Sequence, residues 1–165
     1  MSGSRRNSDS TPPLSRLPRI CISYGMEAIM EVRIQHLGDV RFEASARGHR
    51  VVCDQPPDHG GSDSGMTPPE YLLVSLGTCA GFYAAQYLKT RSLPAQGLEV
   101  KVAAEKAAHP ARLARFRIEV TVPALDPRHE EGIVRAVKAC LIHHTLLNAP
   151  EIETVVNGAA EAHAG

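Results

Sequence analysis

The chain has 165 residues, enough to bury a hydrophobic core without disulfide bridges or metals. Its 18 basic and 18 acidic residues cancel, aromatic residues make up 4%, and Trp is absent, so no nucleic-acid partner is indicated. No run of about 18 apolar residues predicts a membrane-spanning helix, and we expect no membrane partner either.

The four cysteines, Cys21, Cys53, Cys79 and Cys140, are widely separated in the sequence. They include no C-x-x-C pair, which argues against a zinc ribbon or a thioredoxin motif. The N-terminus lacks the apolar segment of a secretory signal peptide. We therefore expect a reducing, cytoplasmic location, in which a disulfide would be transient and catalytic rather than structural.

The first segment, residues 1–25, is rich in Ser, Arg and Pro and shows no apolar period. We predict a disordered tail with no function of its own, although its composition also fits a transit-like segment or an interaction tail. The remainder, residues 26–165, is predicted to be a single domain.

Alternating hydrophobicity predicts three strands before the first helix, at residues 29–36, 40–47 and 50–53. The turn at residues 37–39 joins the first two strands into a hairpin. A loop rich in Pro, Gly and Asp then follows at residues 54–66.

A long helix is predicted from Thr67 to Arg91. Thr67 is a favourable N-cap, Pro68 suits the first helical position, and Glu70 completes a capping box. Apolar or small residues recur behind this cap at helical spacing: Leu72, Leu76, Cys79, Ala80, Tyr83 and Tyr87. Because few charges interrupt them, we predict a central, largely buried helix.

The C-terminal half begins with two more alternating strands, around residues 98–102 and 116–122. Asp126 and Pro127 then begin a second helix, and residues 152–156 form a last short strand. The buried stripe of this helix is predicted to be Ile133, Val137, Cys140 and His144. The order βββ-α-ββ-α-β, without a βαβ repeat, predicts an α+β fold.

Cys79 and Cys140 are the main candidates for chemistry. Each lies on the predicted core-facing stripe of one of the two long helices, and each has small or polar neighbours. The competing interpretation is that each packs as a small hydrophobic residue, as free cysteines commonly do. A reactive site would also need a nearby cation, because the thiolate is the nucleophile.

Arg41, on the second strand, is the cation that we choose, with Arg33, Arg47 and Arg50 as alternatives. A solvated surface arginine is the competing interpretation for each of them. Glu70 could bind an arginine and orient its guanidinium, although the capping box already explains this glutamate.

His143 and His144 follow Cys140 by three and four residues, and Cys and His at this spacing can share one helix face. No second ligand pair occurs at a recognisable spacing. We therefore predict neither a metal nor a cofactor, and retain a metal site at these three residues as a weaker alternative.

Two landmarks in the sequence resemble the OsmC/Ohr family. The first comprises Gly60-Gly61, Gly65 and the segment from Thr67 to Cys79, which resembles the family's small-Pro-x-Glu-Leu-Leu…Gly-x-Cys pattern. In the second, Cys140 precedes the residues His143-His144-Thr145-Leu146 and Glu151-Ile152-Glu153. The resemblance covers residues 29–157.

This resemblance implies an intertwined homodimer, with two long helices back to back between antiparallel sheets from both chains. It also implies thiol-dependent reduction of organic hydroperoxides, an antioxidant stress response. Cys79 matches the peroxidatic cysteine and Cys140 the resolving cysteine, whose disulfide a lipoyl-type dithiol would reduce. Arg41 matches the strand arginine that stabilises the thiolate, and Glu70 matches the Glu of the helix segment.

Two departures from the pattern indicate the less-characterised OsmC-like branch. Glu70 precedes Cys79 by nine residues, one fewer than in the hydroperoxide-reducing branches, and one residue rotates a helical side chain by about 100°. Leu141 follows Cys140 where those branches usually have Pro. The favoured function is an organic hydroperoxide reductase, and the alternative is a non-catalytic ligand-binding or redox-sensing dimer.

Overall fold

The computed structural model describes residues 30–158, and the predicted tail, residues 1–25, lies outside them. The elements in chain order are β1 (Arg33–Gly38), β2 (Arg41–Ala46), β3 (His49–Cys53), α1 (Pro68–Thr90), β4 (Glu99–Ala108), β5 (Ala111–Thr121), α2 (Glu130–Lys138) and α3 (Leu141–Leu147). All strand pairs are antiparallel, so the predicted α+β class is confirmed.

The strands form two separate sheets, β1-β2-β3 and the long hairpin β4-β5. Ile34 pairs with Ala44 and Ala44 with Val51, and directly opposed residues share a face of the sheet. Ile34 is 62% exposed and Val51 is exposed as well. The three-stranded sheet therefore presents an open apolar face.

Helix α1 starts and ends where the sequence predicts, but its buried stripe differs from the prediction. The fully buried residues recur every four positions, at Leu76, Ala80, Ala84 and Leu88. On the other side of the helix Phe82 is 58% exposed. The predicted central, largely buried helix is buried on one side only within a single chain, because α2 and the β4-β5 hairpin cover that side of α1 and leave the other exposed.

The predicted second helix is two helices, α2 and α3, separated by an extended residue. Cys140, with φ −62° and ψ 132°, is the N-cap of α3 rather than a member of a helical stripe. The N–H of Cys140 bonds the carbonyl of Val137 at 3.1 Å, a tight turn that ends α2. The prediction of one continuous buried helical stripe from Ile133 to His144 is therefore wrong, and His144 is exposed.

The structure confirms the predicted start of the second helical region, at Asp126. The carboxylate of Asp126 accepts the N–H of Arg128 at 3.0 Å and caps the 3₁₀ turn Pro127–His129 that leads into α2. The predicted Asp126 cap is thus confirmed.

The predicted last strand, residues 152–156, is wrong, because residues 149–158 contain no regular element. Ile152 is 85% exposed. A strand requires a neighbour for its ladder of hydrogen bonds, and alternation alone does not supply one. The observed order is βββ-α-ββ-α-α.

The core joins α1 to α2. Ala80, Ala84 and Leu88 of α1 pack with Ile133 and Val137 of α2, and partly buried residues of β4 and β5 surround them. Within residues 30–158, no helix combines the length and apolarity needed to cross a membrane.

Candidate functional site

The two cysteines singled out by the sequence are joined by a disulfide bond. Their Cα atoms lie 5.9 Å apart, although the two cysteines are 61 positions apart in the sequence. Cys79 lies near the middle of α1 and is half-buried, whereas Cys140 at the start of α3 has 0% exposure. The bridge therefore has one side nearer to solvent and one side enclosed in the protein.

The core explains why these cysteines meet. Cys79 is adjacent to Ala80, and Cys140 follows Val137 by three residues. Ala80 and Val137 both belong to the buried cluster between α1 and α2. The break after α2 then turns the extended Cys140 towards α1. Helix packing and the break together bring the sulfurs together.

Arg41 differs from the other candidate arginines. Arg33 pairs with Glu31 at 3.0 Å and Arg50 with Glu43 at 2.6 Å, and both arginine side chains are exposed. Arg41 is half-buried, and its Nε is buried without a hydrogen-bond partner in the described part of the chain. Arg41 therefore has a desolvated donor that could bind an anion.

Glu70 is occupied by the helix cap. The N–H and the Oγ1 of Thr67 each donate to Oε2 of Glu70 at 2.7 Å. The hydroxyl of Thr67, followed by its N–H, holds the pKa of Glu70 below its usual range. Between residues 30 and 158, no ion pair joins Glu70 to Arg41. The Glu70 side chain thus fixes the first turn of α1.

Sequence reasoning missed Asp54, which organises the loop before α1. This buried carboxylate accepts the N–H and the hydroxyl of Ser62 and of Ser64 at 2.7 to 3.1 Å, and the N–H of Gln55 at 2.8 Å. The N–H and hydroxyl of Ser64 contribute most to a pKa far below the usual Asp range, against the effect of burial. The sequence did contain a signal for this cluster, because Asp54 is followed by Ser62 and Ser64 in a Gly-rich loop, and Asp and Ser side chains commonly bond the backbone of such loops.

This loop connects the three-stranded sheet to α1. Tyr71 in the first turns of α1 donates its hydroxyl to the carbonyl of Val52 at 2.7 Å. Cys53 at the end of β3 forms an isolated bridge with Met66, just before the helix. The sheet that carries Arg41 is thereby tied to the N-terminal end of the helix that carries Cys79.

Two grooves flank α3. One, of about 740 Å³, lies between β5 and α2 and is lined mainly by apolar side chains. The other, of about 630 Å³, lies between α1, β5 and α3, with Leu76 and Leu146 in its wall and Arg112 and Arg115 beside them. The side chain of His143 lines both grooves.

The weaker alternative of a metal site gains no support. No three His, Cys, Asp or Glu side chains among residues 30–158 are placed to hold a metal ion. Cys140 is engaged in the disulfide, and His144 is exposed.

Comparison with known families matches residues 60–155 to the OsmC-like protein family. Because this match covers more than half of the chain and includes both cysteines, the protein belongs to the OsmC-like family. This confirms the resemblance seen in the sequence. No curated protein matches the chain.

Solved structures share the fold at low sequence identity. A protein described as osmotic-stress-induced and detoxification-response, from Psychrobacter arcticus, is 19% identical with a TM-score of 0.66, over 73% of this chain and 90% of its own. An OsmC-like protein from Mycoplasma pneumoniae is 18% identical with a TM-score of 0.61, over 75% and 91%. An organic hydroperoxide resistance protein from Legionella pneumophila is 11% identical with a TM-score of 0.53, over 73% and 90%.

Proposed function

We propose that this protein is a dithiol-dependent peroxidase that reduces organic hydroperoxides through Cys79 and Cys140 in the cytoplasm. The observation that carries the proposal is the disulfide between a half-buried and a fully buried cysteine. This asymmetry suits an attacking thiol that a substrate can reach and a second thiol that reacts only with the first. The fold shared with an organic hydroperoxide resistance protein adds support.

The proposed cycle balances in three steps. The Cys79 thiolate attacks the outer peroxide oxygen, so that an S–O bond forms, the O–O bond breaks, and the alkoxide leaves and takes up a proton as the alcohol. The Cys140 sulfur then attacks the Cys79 sulfenic acid, forming the disulfide and releasing water. A dithiol, for which a lipoyl-type compound is the family expectation, returns both cysteines to thiols and becomes a disulfide itself.

Arg41 is proposed to stabilise the Cys79 thiolate. A guanidinium near a thiol favours the charged form and so lowers the thiol pKa. Among residues 30–158 the buried Nε of Arg41 has no hydrogen-bond partner, and this supports the role because such a donor is costly to leave without an acceptor. Glu70 enters the proposal as a positioning residue that fixes the start of α1 through Thr67.

We also propose that the protein acts as a homodimer. Val74 and Phe82, eight residues apart on α1, form an exposed apolar stripe opposite the buried one. The apolar face of the β1-β2-β3 sheet with Ile34 and Val51 is open too. A second copy would cover both surfaces, with α1 against α1 and the sheets on either side, as the family resemblance implies.

Thiol titration tests the peroxidase. In a Cys21→Ser/Cys53→Ser background, reduced protein would receive a sub-stoichiometric amount of cumene hydroperoxide, and free thiols and cumyl alcohol would be counted. Loss of two thiols per alcohol formed supports the cycle. Unchanged thiols and unreacted peroxide would exclude it.

A second candidate is the ligand-binding or redox-sensing module. The apolar groove of about 740 Å³ between β5 and α2 favours it, because its size suits a small organic ligand. The same titration separates the peroxidase from a ligand-binding module, since the latter would leave both thiols and the peroxide unchanged.

A further inference from the structure

Helix α3 packs weakly against the rest of the protein. It has seven residues, and a helix this short is marginal in water unless neighbouring elements stabilise it. None of its residues is buried, and only Ile142 and His143 are half-buried. Leu141 and Leu147, which could have anchored it, are 62% and 70% exposed. Side-chain burial therefore contributes little to holding α3 in place.

Hydrogen bonds do not attach α3 either. The hydroxyl of Thr145 donates to the carbonyl of Leu141 at 3.0 Å, and the amide of Asn148 donates to the carbonyl of His144 at 2.9 Å, so both bonds stay within the helix and its C-cap. Among residues 30–158, no hydrogen bond or ion pair joins residues 141–148 to α1 or β5. The disulfide at the N-cap is thus the strongest link between α3 and α1.

The helix that precedes α3 is held differently. Ile133 and Val137 fix α2 in the core, and the extended residue Cys140 separates α2 from α3. Opening the disulfide would leave the core contacts of α2 unchanged and would remove the covalent link of α3. Loss of order should therefore be confined to the chain that follows Cys140, as in other local openings of weakly packed segments.

The position of α3 gives its release a consequence. Phe116 and Ile118 of β5 line both grooves described above, and so does His143 of α3. The helix therefore stands between two spaces that share a floor on β5. Leu76, which is 2% exposed and precedes Cys79 by three residues, lines the second groove. Movement of α3 away from the hairpin would join the grooves and uncover apolar surface close to Cys79.

We propose that α3 is a redox-controlled cover, which the Cys79–Cys140 disulfide holds in place and which reduction releases. A thiolate of a dithiol attacks one sulfur of the bridge, the S–S bond breaks, and the second thiol of the reductant displaces the protein sulfur from the mixed disulfide. Two electrons and two protons pass to the protein, which ends with two thiols, and the dithiol becomes a disulfide. This mechanism requires only the bridge and a dithiol, and it does not rest on the proposed peroxidase function.

Hydrogen exchange followed by mass spectrometry tests the release. In the Cys21→Ser/Cys53→Ser background, the bridged protein would be compared with the same protein reduced by dithiothreitol, without peroxide. We expect the amides of residues 144–148 to exchange faster by about tenfold or more after reduction, whereas the amides of α2 should change little. Cys79→Ser in this background cannot form the bridge and should show the fast exchange with and without dithiothreitol.

Fluorescence gives a second measurement, because the sequence contains no Trp. Leu146 lies in the wall of the second groove, so a single Trp introduced by Leu146→Trp reports the surroundings of α3. Reduction should shift its emission to longer wavelength and increase its quenching by acrylamide. Lys101→Trp, on the exposed side of β4, is the matched control and should give the same emission in both redox states.

Other results would overturn the proposal. Equal exchange of residues 144–148 in the two redox states would show that α3 stays in place without the bridge, as would unchanged emission of Leu146→Trp. An equal acceleration in α2 and α3 would mean that the whole structure loosens. A protein that fails the peroxide titration but releases α3 would lose only its proposed function, and one that consumes peroxide while α3 stays fixed would lose only the cover.

Discussion

The Cα atoms of Cys79 and Cys140 lie 5.9 Å apart, which is within the usual range for a disulfide, although the two cysteines are 61 positions apart in the sequence. One cysteine belongs to the middle of the long helix α1, and the other caps the short helix α3. Their environments differ, since Cys140 is completely enclosed and Cys79 is not. Loss of either sulfur should therefore have a distinct effect.

Replacing Cys79 by Ser should abolish hydroperoxide consumption, because the attacking sulfur is gone. Cys140→Ser should retain one turnover and accumulate a sulfenic acid on Cys79, which has no partner to displace the oxygen. Peroxide consumption and dimedone adducts located by mass spectrometry measure both effects. Cys53→Ser is the control, because Cys53 is a free thiol on β3. Parent-like behaviour of both variants would contradict the cycle.

Arg41→Gln should slow sulfenic acid formation by about tenfold or more, because each unit by which the Cys79 pKa rises lowers the thiolate fraction about tenfold. Arg50→Gln is the matched control, since Arg50 also projects from this sheet but is exposed and paired with Glu43 at 2.6 Å. Stopped-flow mixing of reduced protein with hydroperoxide, over a range of pH, gives the rate and the apparent thiol pKa. Equal effects of the two changes would contradict a role of Arg41 in stabilising the Cys79 thiolate.

The features that the sequence predicted correctly depend on neighbouring residues. The start of α1 follows from the cap made by Thr67 and Glu70, and the start of the α2 region follows from Asp126. In both cases side chains satisfy backbone groups only a few residues away, so that local chemistry determines where the element begins.

The features that the sequence did not predict leave no clear local signal in it. The break at Cys140 lacks its usual signal, because Leu141 stands at the first helical position, where Pro would have marked a new helix. Ser62 and Ser64 donate four hydroxyl and N–H bonds to one oxygen of Asp54 from eight and ten positions later in the chain. Hydrophobic periodicity does not predict bonds of this kind. The alternation at residues 152–156 predicted a strand, yet no strand pairs with it in the described chain.

Phe82→Glu should convert the proposed dimer to a monomer. A charge on the exposed stripe of α1 would have to be buried between two copies without a partner. Light scattering coupled to gel filtration measures the mass, which should fall by half relative to the parent. Lys101→Glu, on the exposed side of β4, should leave the mass unchanged. A parent that is already monomeric would refute the dimer itself.

Asp54→Asn should lower thermal stability at neutral pH by about 5 °C or more and should weaken its pH dependence. The folded-state pKa of Asp54 lies below its unfolded value of about 3.9, so its stabilisation is present above about pH 4 and is lost as the pH falls further. An amide also has one acceptor oxygen in place of two. Thermal unfolding from about pH 7 to about pH 3 measures the effect, with the exposed Asp58→Asn as control. Parallel curves for parent and Asp54→Asn would contradict the prediction.

Gly132→Ala should destabilise the protein by about 2 kcal/mol even though Ala favours a helix by about 1 kcal/mol over Gly. A methyl group at this position in α2 would collide with the hydroxyl and ring of Tyr87. That ring cannot easily move away, because its hydroxyl bonds Nδ1 of His129 at 3.2 Å and the guanidinium of Arg91 lies 3.8 Å from its centre.

Gly81→Ala is the matched control for this steric argument. Gly81 is also helical, but its added methyl would meet Val100 at 3.5 Å, an ordinary contact. It should therefore stabilise the protein by about 0.5 to 1 kcal/mol. Urea unfolding at one fixed protein concentration gives both free energies, and the concentration must be held constant because a dimer gains stability by mass action. If both substitutions shift the unfolding midpoint in the same direction, helix propensity and not the Tyr87 contact governs position 132.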